Sequence, residues 1–131
     1  MSNQLGTGVN IVNCPFCQPE DTIIEHQLAF AIYDKYPVNK GHILVITRRH
    51  VEDFFCASQE ERLAMMELVE ECWEFLRQEY SPDGYNLGVN CGKAAGQTIM
   101  HLHLHLIPRY RGDMVAPEGG VRGVIPAKRK Y

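Results

Sequence analysis

Three histidines alternate with three leucines in the run His101-Leu102-His103-Leu104-His105-Leu106. On a β-strand successive side chains point to opposite faces, so this run sets three imidazoles on one face and three leucines on the other. Leucines belong to a core, and the imidazole face must therefore meet water, a metal ion or a ligand. Imidazole titrates near neutral pH and can act as nucleophile, acid–base group or metal ligand. Generic half-exposed strand positions are the competing reading, and strict alternation of a rare residue argues against it. One ion cannot readily take all three rings. At about 3.3 Å per residue the first and third stand roughly 13 Å apart, whereas metal–nitrogen bonds are about 2 Å. The face must divide its roles.

Two further patterns carry chemistry. Cys14-Pro15-Phe16-Cys17 is a C-x-x-C pair, and Gly92-Lys93-Ala94-Ala95-Gly96 is a glycine-bearing loop just ahead of the histidine run. Turn amides in such a loop can form an anion-binding nest. The loop lacks the Gly-Lys-Thr/Ser ending of a P-loop, and a plain hairpin would use the same glycines.

A frame is needed to hold these residues. The histidines require a strand, about Thr98–Ile107, closed by Pro108 and reached from an alternating strand at Tyr85–Asn90. Phe30–Tyr33 and His42–Thr47 read as strands rich in apolar and β-branched residues, and Thr22–Glu25 as a short edge strand. Asp34-Lys35-Tyr36-Pro37 reads as a turn, which alone would make Asp34 a turn residue. Ser58-Gln59-Glu60-Glu61 has the capping-box pattern. Behind it Leu63, Met66, Val69, Trp73, Leu76 and Tyr80 recur at spacings of three and four, which predicts one amphipathic helix over 58–80 that Ser81-Pro82 ends. The Met65-Met66 and Trp73 face reads as core or subunit interface. The layout is α+β, an antiparallel sheet with helical structure on one face. It forms one domain over 1–131, with a loose arm at 1–13 and an irregular tail at 109–131.

Composition bounds the function. The chain has 131 residues, 45% hydrophobic and 22% charged, with a net charge of −3. These are ordinary globular values. The net charge argues against bulk capture of nucleic acid, which needs many surplus cations, and leaves room for a local anion pocket. No apolar run approaches the ~20 residues of a membrane span, and the first residues lack the features of a signal peptide. Five cysteines with irregular spacing suit reduced thiols, so a cytoplasmic setting is expected. Arg109, Arg111, Lys128, Arg129 and Lys130 bias the tail positive and read first as solvated surface.

Gln97-Thr98-Ile99-Met100-His101-Leu102-His103-Leu104-His105-Leu106 resembles the signature of the histidine triad (HIT) superfamily of nucleotide hydrolases and transferases. The resemblance extends from Cys14-Pro15-Phe16-Cys17, through Gly41-His42-Ile43-Leu44-Val45-Ile46 with Arg48-Arg49-His50, to Gly119-Gly120-Val121-Arg122-Gly123-Val124-Ile125-Pro126. It implies a five-stranded antiparallel sheet with one long helix and a short N-terminal helix, the sheet continuing across a homodimer. It implies that His103 attacks the α-phosphate of a nucleotide and becomes nucleotidylated. His105 and Gln97 would contact phosphate oxygens, with Gln97 near the leaving group. Asn90 and the backbone from Gly96 to Thr98 would hold the α-phosphate. Asp34 would bind ribose hydroxyls, and Phe16 and Ile32 would line the nucleobase slot.

The pair Cys14 and Cys17 can hold zinc if two more ligands arrive. Without a second C-x-x-C these must be histidines, and His50 and His101 match the ligand set that the zinc-carrying branch of the superfamily implies. That assignment frees His103 and His105 for catalysis. A redox pair and two inert buried thiols are the alternatives. His42 reads as a packed or hydrogen-bonded histidine, and His26 has no pattern. The expected protein is a homodimeric hydrolase or nucleotidyl transferase with structural Zn2+. Its substrate would be a purine nucleotide conjugate, either a dinucleoside polyphosphate or a nucleoside phosphoramidate. A non-catalytic, zinc-stabilised nucleotide-binding module is the rival reading. A metal-dependent enzyme built on paired His103 and His105 is a third, without an obvious further ligand.

Overall fold

A computed structural model describes residues 13–131. Residues 1–12, most of the expected loose arm, lie outside the described part. Five strands form one antiparallel sheet in the order β1-β2-β3-β5-β4: β1 (Ile24–Glu25), β2 (Ala29–Tyr33), β3 (Ile43–Thr47), β4 (Gly84–Val89) and β5 (His103–Arg109). Strand β3, Ile-Leu-Val-Ile-Thr, is buried along its whole length. Strand β5 alternates half-buried and buried residues as its sequence predicts.

Parity divides the sheet into two faces. Ala29, Ala31, Ile43, Val45, Leu104 and Leu106 face α1 (Gln59–Tyr80) and pack with its Met65, Leu68, Cys72 and Leu76. The alanines of β2 let the helix approach closely. Phe30, Ile32, Leu44 and Ile46 face the other way and form a smaller cluster with Phe16 and Ile99. His103 pairs with Ile46 and His105 with Leu44 in the β3–β5 register, so both histidines belong to this second face.

Helix α1 begins with the predicted capping box. The Ser58 hydroxyl accepts from Glu61 N–H at 3.0 Å, and the Glu61 carboxylate accepts from Ser58 N–H at 2.8 Å. Its buried stripe differs from the expected one. Glu61, Ala64, Met65, Leu68, Cys72 and Leu76 face the core, while Leu63, Met66 and Trp73 stay 60%, 43% and 40% exposed. Two interleaved apolar stripes both satisfy the three-and-four spacing, and the smaller residues fit the close packing against β2.

Two other expectations are corrected. Strand β5 starts at His103 rather than Thr98, because Thr47 O accepts from the His101 ring and β3–β5 pairing ends at Ile46 and His103. Pro108 sits inside β5, opposite Tyr85, instead of closing it. By that point β3 has ended at Ile43, opposite Leu106, so one side of β5 is an edge where a missing N–H costs no ladder bond. Ahead of β1, residues 15–17 form a turn in which Cys17 N–H donates to Cys14 O, and no helix precedes β1 among the described residues. The tail carries two short 3-10 turns, Gly120–Val124 and Pro126–Lys128. Of its cations, Arg109 pairs with Asp113 and Asn86 and Arg129 donates to the carbonyls of Ala116 and Glu118, while Arg111, Lys128 and Lys130 are exposed as expected. No helix of the described residues is long and apolar enough to cross a membrane.

Candidate active site and metal centre

Each triad histidine has one ring nitrogen committed, and the partner fixes which nitrogen carries the proton. His103 Nδ1 lies 2.8 Å from His101 O. A carbonyl can only accept, so Nδ1 donates and the lone pair of His103 is on Nε2. His101 Nε2 lies 2.7 Å from Thr47 O, so that nitrogen donates and its lone pair is on Nδ1. His105 Nδ1 lies 2.9 Å from His42 Nε2.

His101 ends in a metal-shaped cluster. Its Nδ1 is 3.3 Å from Cys14 Sγ, 3.6 Å from Cys17 Sγ and 3.1 Å from His50 Nδ1, and Cys17 Sγ is 3.2 Å from His50 Nδ1. Zinc bonds of about 2.0–2.3 Å set ligand separations near 3.3–3.8 Å in a tetrahedron, so the four donors are almost at coordination distance. The Thr47 carbonyl supplies the outer hydrogen bond that orients a metal-bound imidazole. Burial pushes His101 down to about 4, so its ring is neutral at pH 7 and can ligate. Cysteine and histidine donors in this geometry suit Zn2+. The turn Cys14–Cys17, β3 through the His50 segment that follows it, and the residue pair just ahead of β5 bring the four together.

Phe16, between the two cysteines, joins this cluster to the triad. Its ring centroid is 5.0 Å from His103 and 6.0 Å from His101. With Phe30, Ile32, Leu44, Ile46 and Ile99 it makes an apolar bed beside His103. At the other end Asp34 follows β2 on the same face. Its Oδ2 is 3.4 Å from His42 Nε2 and 3.9 Å from His105 Nδ1, and its other oxygen accepts from Tyr36 N–H. Burial, reinforced by His103 and His42, pushes His105 down to about 4, so this ring is neutral as well.

The loop between β4 and β5 holds the remaining predicted residues. Gly92 and Gly96 take φ of 95° and 94°, which other residues rarely adopt. Gln97 is placed differently from its expected role. It is buried, its Oε1 accepts from Gly92 N–H, and its amide donates to Glu52 O at 2.7 Å and Ile99 O at 3.0 Å. Both amide hydrogens hold the loop, leaving none for a phosphate oxygen. The amides of Ala95, Gly96 and Gln97 likewise donate within the turn, so of the stretch Gly96–Thr98 the N–H of exposed Thr98 is the one without a backbone bond among the described residues. Asn90 follows the last β4–β5 pair, Val89 with Leu104, which sets it beside His103. Its amide has no hydrogen-bond partner among the described residues.

His42 is packed and hydrogen-bonded as its sequence position suggests, and it also lies in the site, which the sequence reading did not assign it. It is 2% exposed and bonded to His105 on the site face. The available signal was parity: His42 shares the face of Leu44 and Ile46, so it is a titratable residue in a row otherwise apolar.

Comparison with known proteins agrees with this geometry. The profile of the family described as HIT domain matches residues 16–112. An uncharacterised HIT-like protein of Methanocaldococcus jannaschii is 37% identical over 106 residues, 76% of this chain and 81% of its own. The AP-4-A phosphorylase of Mycobacterium tuberculosis is 32% identical over 88 residues, 66% of this chain and 45% of that longer protein. A crystal structure of a Zn-bound histidine triad family protein from Mycobacterium smegmatis superposes with a TM-score of 0.72 at 33% identity, covering 79% of this chain and 80% of that one. The profile match over most of the chain, with relatives of this identity and coverage, shows that the chain belongs to the HIT family.

Proposed function

We propose that the protein is a nucleotide hydrolase or nucleotidyl transferase that cleaves at the α-phosphate of a purine nucleotide conjugate through a nucleotidyl-His103 intermediate. The observation that carries this reading is the bond from His103 Nδ1 to His101 O. It leaves the Nε2 lone pair for attack on phosphorus, and the same carbonyl stabilises the charge that the ring acquires. Nε2 forms the P–N bond as the bond to the leaving group breaks. Water, or inorganic phosphate in a phosphorolytic reaction, then attacks the same phosphorus and the electron pair returns to Nε2. Water's extra proton goes to solvent. Two displacements replace one difficult one, and positioning and charge stabilisation supply the rest.

In this reading Asn90, the Thr98 amide and His105 contact phosphate oxygens. Asp34 accepts from the ribose hydroxyls, and Phe16 and Ile32 belong to the nucleobase slot. Gln97 acts from behind, holding the loop. Cys14, Cys17, His50 and His101 hold a structural Zn2+, whose chemistry is to lock their segments together and not to touch substrate. The relative named AP-4-A phosphorylase supports a dinucleoside polyphosphate over a phosphoramidate.

The same proposal includes a homodimer. Strand β4 is an edge strand, and Leu87 on it adjoins the exposed Met66 and Trp73 of α1 around a shallow apolar hollow. An unpaired edge beside an apolar patch is a surface that a second sheet can cover. Thiolate ligation of zinc suits a reducing compartment such as the cytoplasm.

The test is a panel of dinucleoside polyphosphates and nucleoside phosphoramidates, with and without inorganic phosphate, analysed by chromatography. A nucleoside monophosphate product supports hydrolysis and a diphosphate formed only with added phosphate supports phosphorolysis. Tight nucleotide binding without turnover of any member would favour the non-catalytic module.

A further inference from the structure

We propose that His42 is a positioning residue for this reaction: it locks His105 in the neutral tautomer whose proton sits on Nε2, which makes His105 a fixed hydrogen-bond donor and not a proton-cycling acid. The inference rests on the reading of the site as a nucleotide-transfer centre and deepens it at one residue.

A chain of hydrogen bonds fixes the protons of both rings. Val38 N–H lies 2.9 Å from His42 Nδ1. An amide can only donate, so Nδ1 accepts and the proton of neutral His42 is on Nε2. That Nε2 is 2.9 Å from His105 Nδ1, whereas Asp34 Oδ2 is farther away at 3.4 Å. Two N–H groups cannot face each other at this separation, so His105 Nδ1 is unprotonated and its proton is on Nε2. A cationic His105 would point a second proton at His42 and is disfavoured by the same geometry. Neighbouring β4 contributes Gly88 opposite His105, and a side chain there would meet nothing within 4 Å, so there is open space beside the ring.

The turn ahead of β3 is built to hold His42 in this role. Its N–H donates to Asn39 O at 3.1 Å, and its carbonyl accepts from Asp34 N–H at 2.9 Å. Gly41 takes φ of 91°, and a Cβ there would lie 3.0–3.2 Å from Leu76, Tyr80 and Pro108. Burial lowers the pKa of His42 despite the nearby Asp34. The groups that face His105 are His42, His103 and, at 3.9 Å, Asp34.

The same three residues, Asp34, His42 and His105, lie close enough to suggest a second metal site. The Val38 amide argues against it. With the His42 lone pair directed at Val38, Nε2 has none to give an ion, and 2.9 Å between the two nitrogens is shorter than the roughly 3.3 Å of two imidazoles on one tetrahedral metal.

The experiment is nitrogen NMR of histidine-labelled protein, read together with steady-state kinetics, on wild type, His42→Phe and His42→Gln. Zinc content and amide dispersion report whether each variant is folded. The expected result is the Nε2–H tautomer at His105 in wild type and its loss in His42→Phe. There kcat should fall at least about tenfold, as for loss of a buried hydrogen bond to a functional group, with KM within about threefold. His42→Gln, which can accept from Val38 and donate to His105, should restore most of kcat and the tautomer. A purely structural role would leave the tautomer unmoved. The proposal is overturned by a proton on His105 Nδ1 in the wild-type protein, or by a folded His42→Phe protein with unchanged tautomer and kcat. If wild type turns over no nucleotide conjugate, the nucleotide-transfer reading fails, and the tautomer measurement still decides the part played by His42.

Discussion

The two ends of the histidine run use one residue type in opposite ways. At His101 the ring is fully buried, its Nε2–H is fixed by the Thr47 carbonyl, and its lone pair points at two sulfurs and another imidazole. At His105 the ring is partly open, and it is the lone pair that is fixed, by His42. The first arrangement suits a cation, with an electron pair directed inward. The second, in the proposed reading, offers a proton outward to an anion. His103 between them borrows from the metal end, taking its orientation from the His101 carbonyl and a wall from Phe16. Function along this strand is therefore set by which neighbour holds which nitrogen. Alternation alone does not decide it.

Breaking the centre should have the largest effect. His103→Ala is expected to lower turnover at least about a thousandfold, because no other lone pair stands where Nε2 does. Nucleotide binding, measured by calorimetry, should be largely kept, since the binding contacts lie on other residues. Breaking the metal end comes next. Coordination energy is folding energy when the site forms only in the native state. Chelation of zinc, or Cys17→Ala, should therefore lower Tm by about 10 °C or more in a thermal scan. Turnover per folded molecule should fall less than stability does. Elemental analysis of chelator-free protein should find one zinc per chain, and none would remove that end of the comparison.

The open end can be sharpened through Asp34. If its carboxylate accepts from both ribose hydroxyls, a 2′,3′-dideoxy substrate should bind worse by about 1–3 kcal/mol. Asp34→Ala should weaken binding and shrink that discrimination. Equal discrimination in variant and wild type would take Asp34 out of the ribose site.

The smallest effect concerns the support behind the metal end. Arg49, next to His50, holds the buried Glu61 carboxylate with two bonds at 2.9 and 2.8 Å. Burial alone would raise the Glu61 pKa, but the Arg49 guanidinium and Ser58 N–H outweigh it and the net shift is downward. A folded pKa below the unfolded one gives stability that is present above the unfolded value, about 4.3, and lost as pH falls through the folded value. Glu61→Gln should therefore cost about 1 kcal/mol at pH 7, and its stability should decline less steeply below about pH 4 in denaturant titrations. Parallel declines for variant and wild type would contradict this.

Much of this arrangement was legible in the sequence, and the exceptions have physical causes. Capping at Ser58, the apolar run of β3 and the alternation in β5 are local patterns, and the structure follows them. The phase of α1 was not legible, since Leu63, Met66 and Trp73 repeat with the same period as the stripe that is buried. Cys14 and Cys17 were legible as a metal half-site from their spacing, and His50 and His101 as their partners through the resemblance to the zinc-carrying branch of the family. The loop bonds of Gln97 and the particular partner of His42 were not, because those partners, Glu52 in one case and His105 in the other, are distant in sequence. A carboxamide beside a triad looks the same in sequence whether it faces a ligand or a loop.

The most direct measurement of the central claim is rapid quench with a substrate labelled at the α-phosphorus, followed by peptide mapping of the trapped protein. Acid-labile, base-stable label is expected on His103, formed at least as fast as steady-state turnover. Label on His105 or on a cysteine, or turnover with no labelled protein at any time, would contradict it.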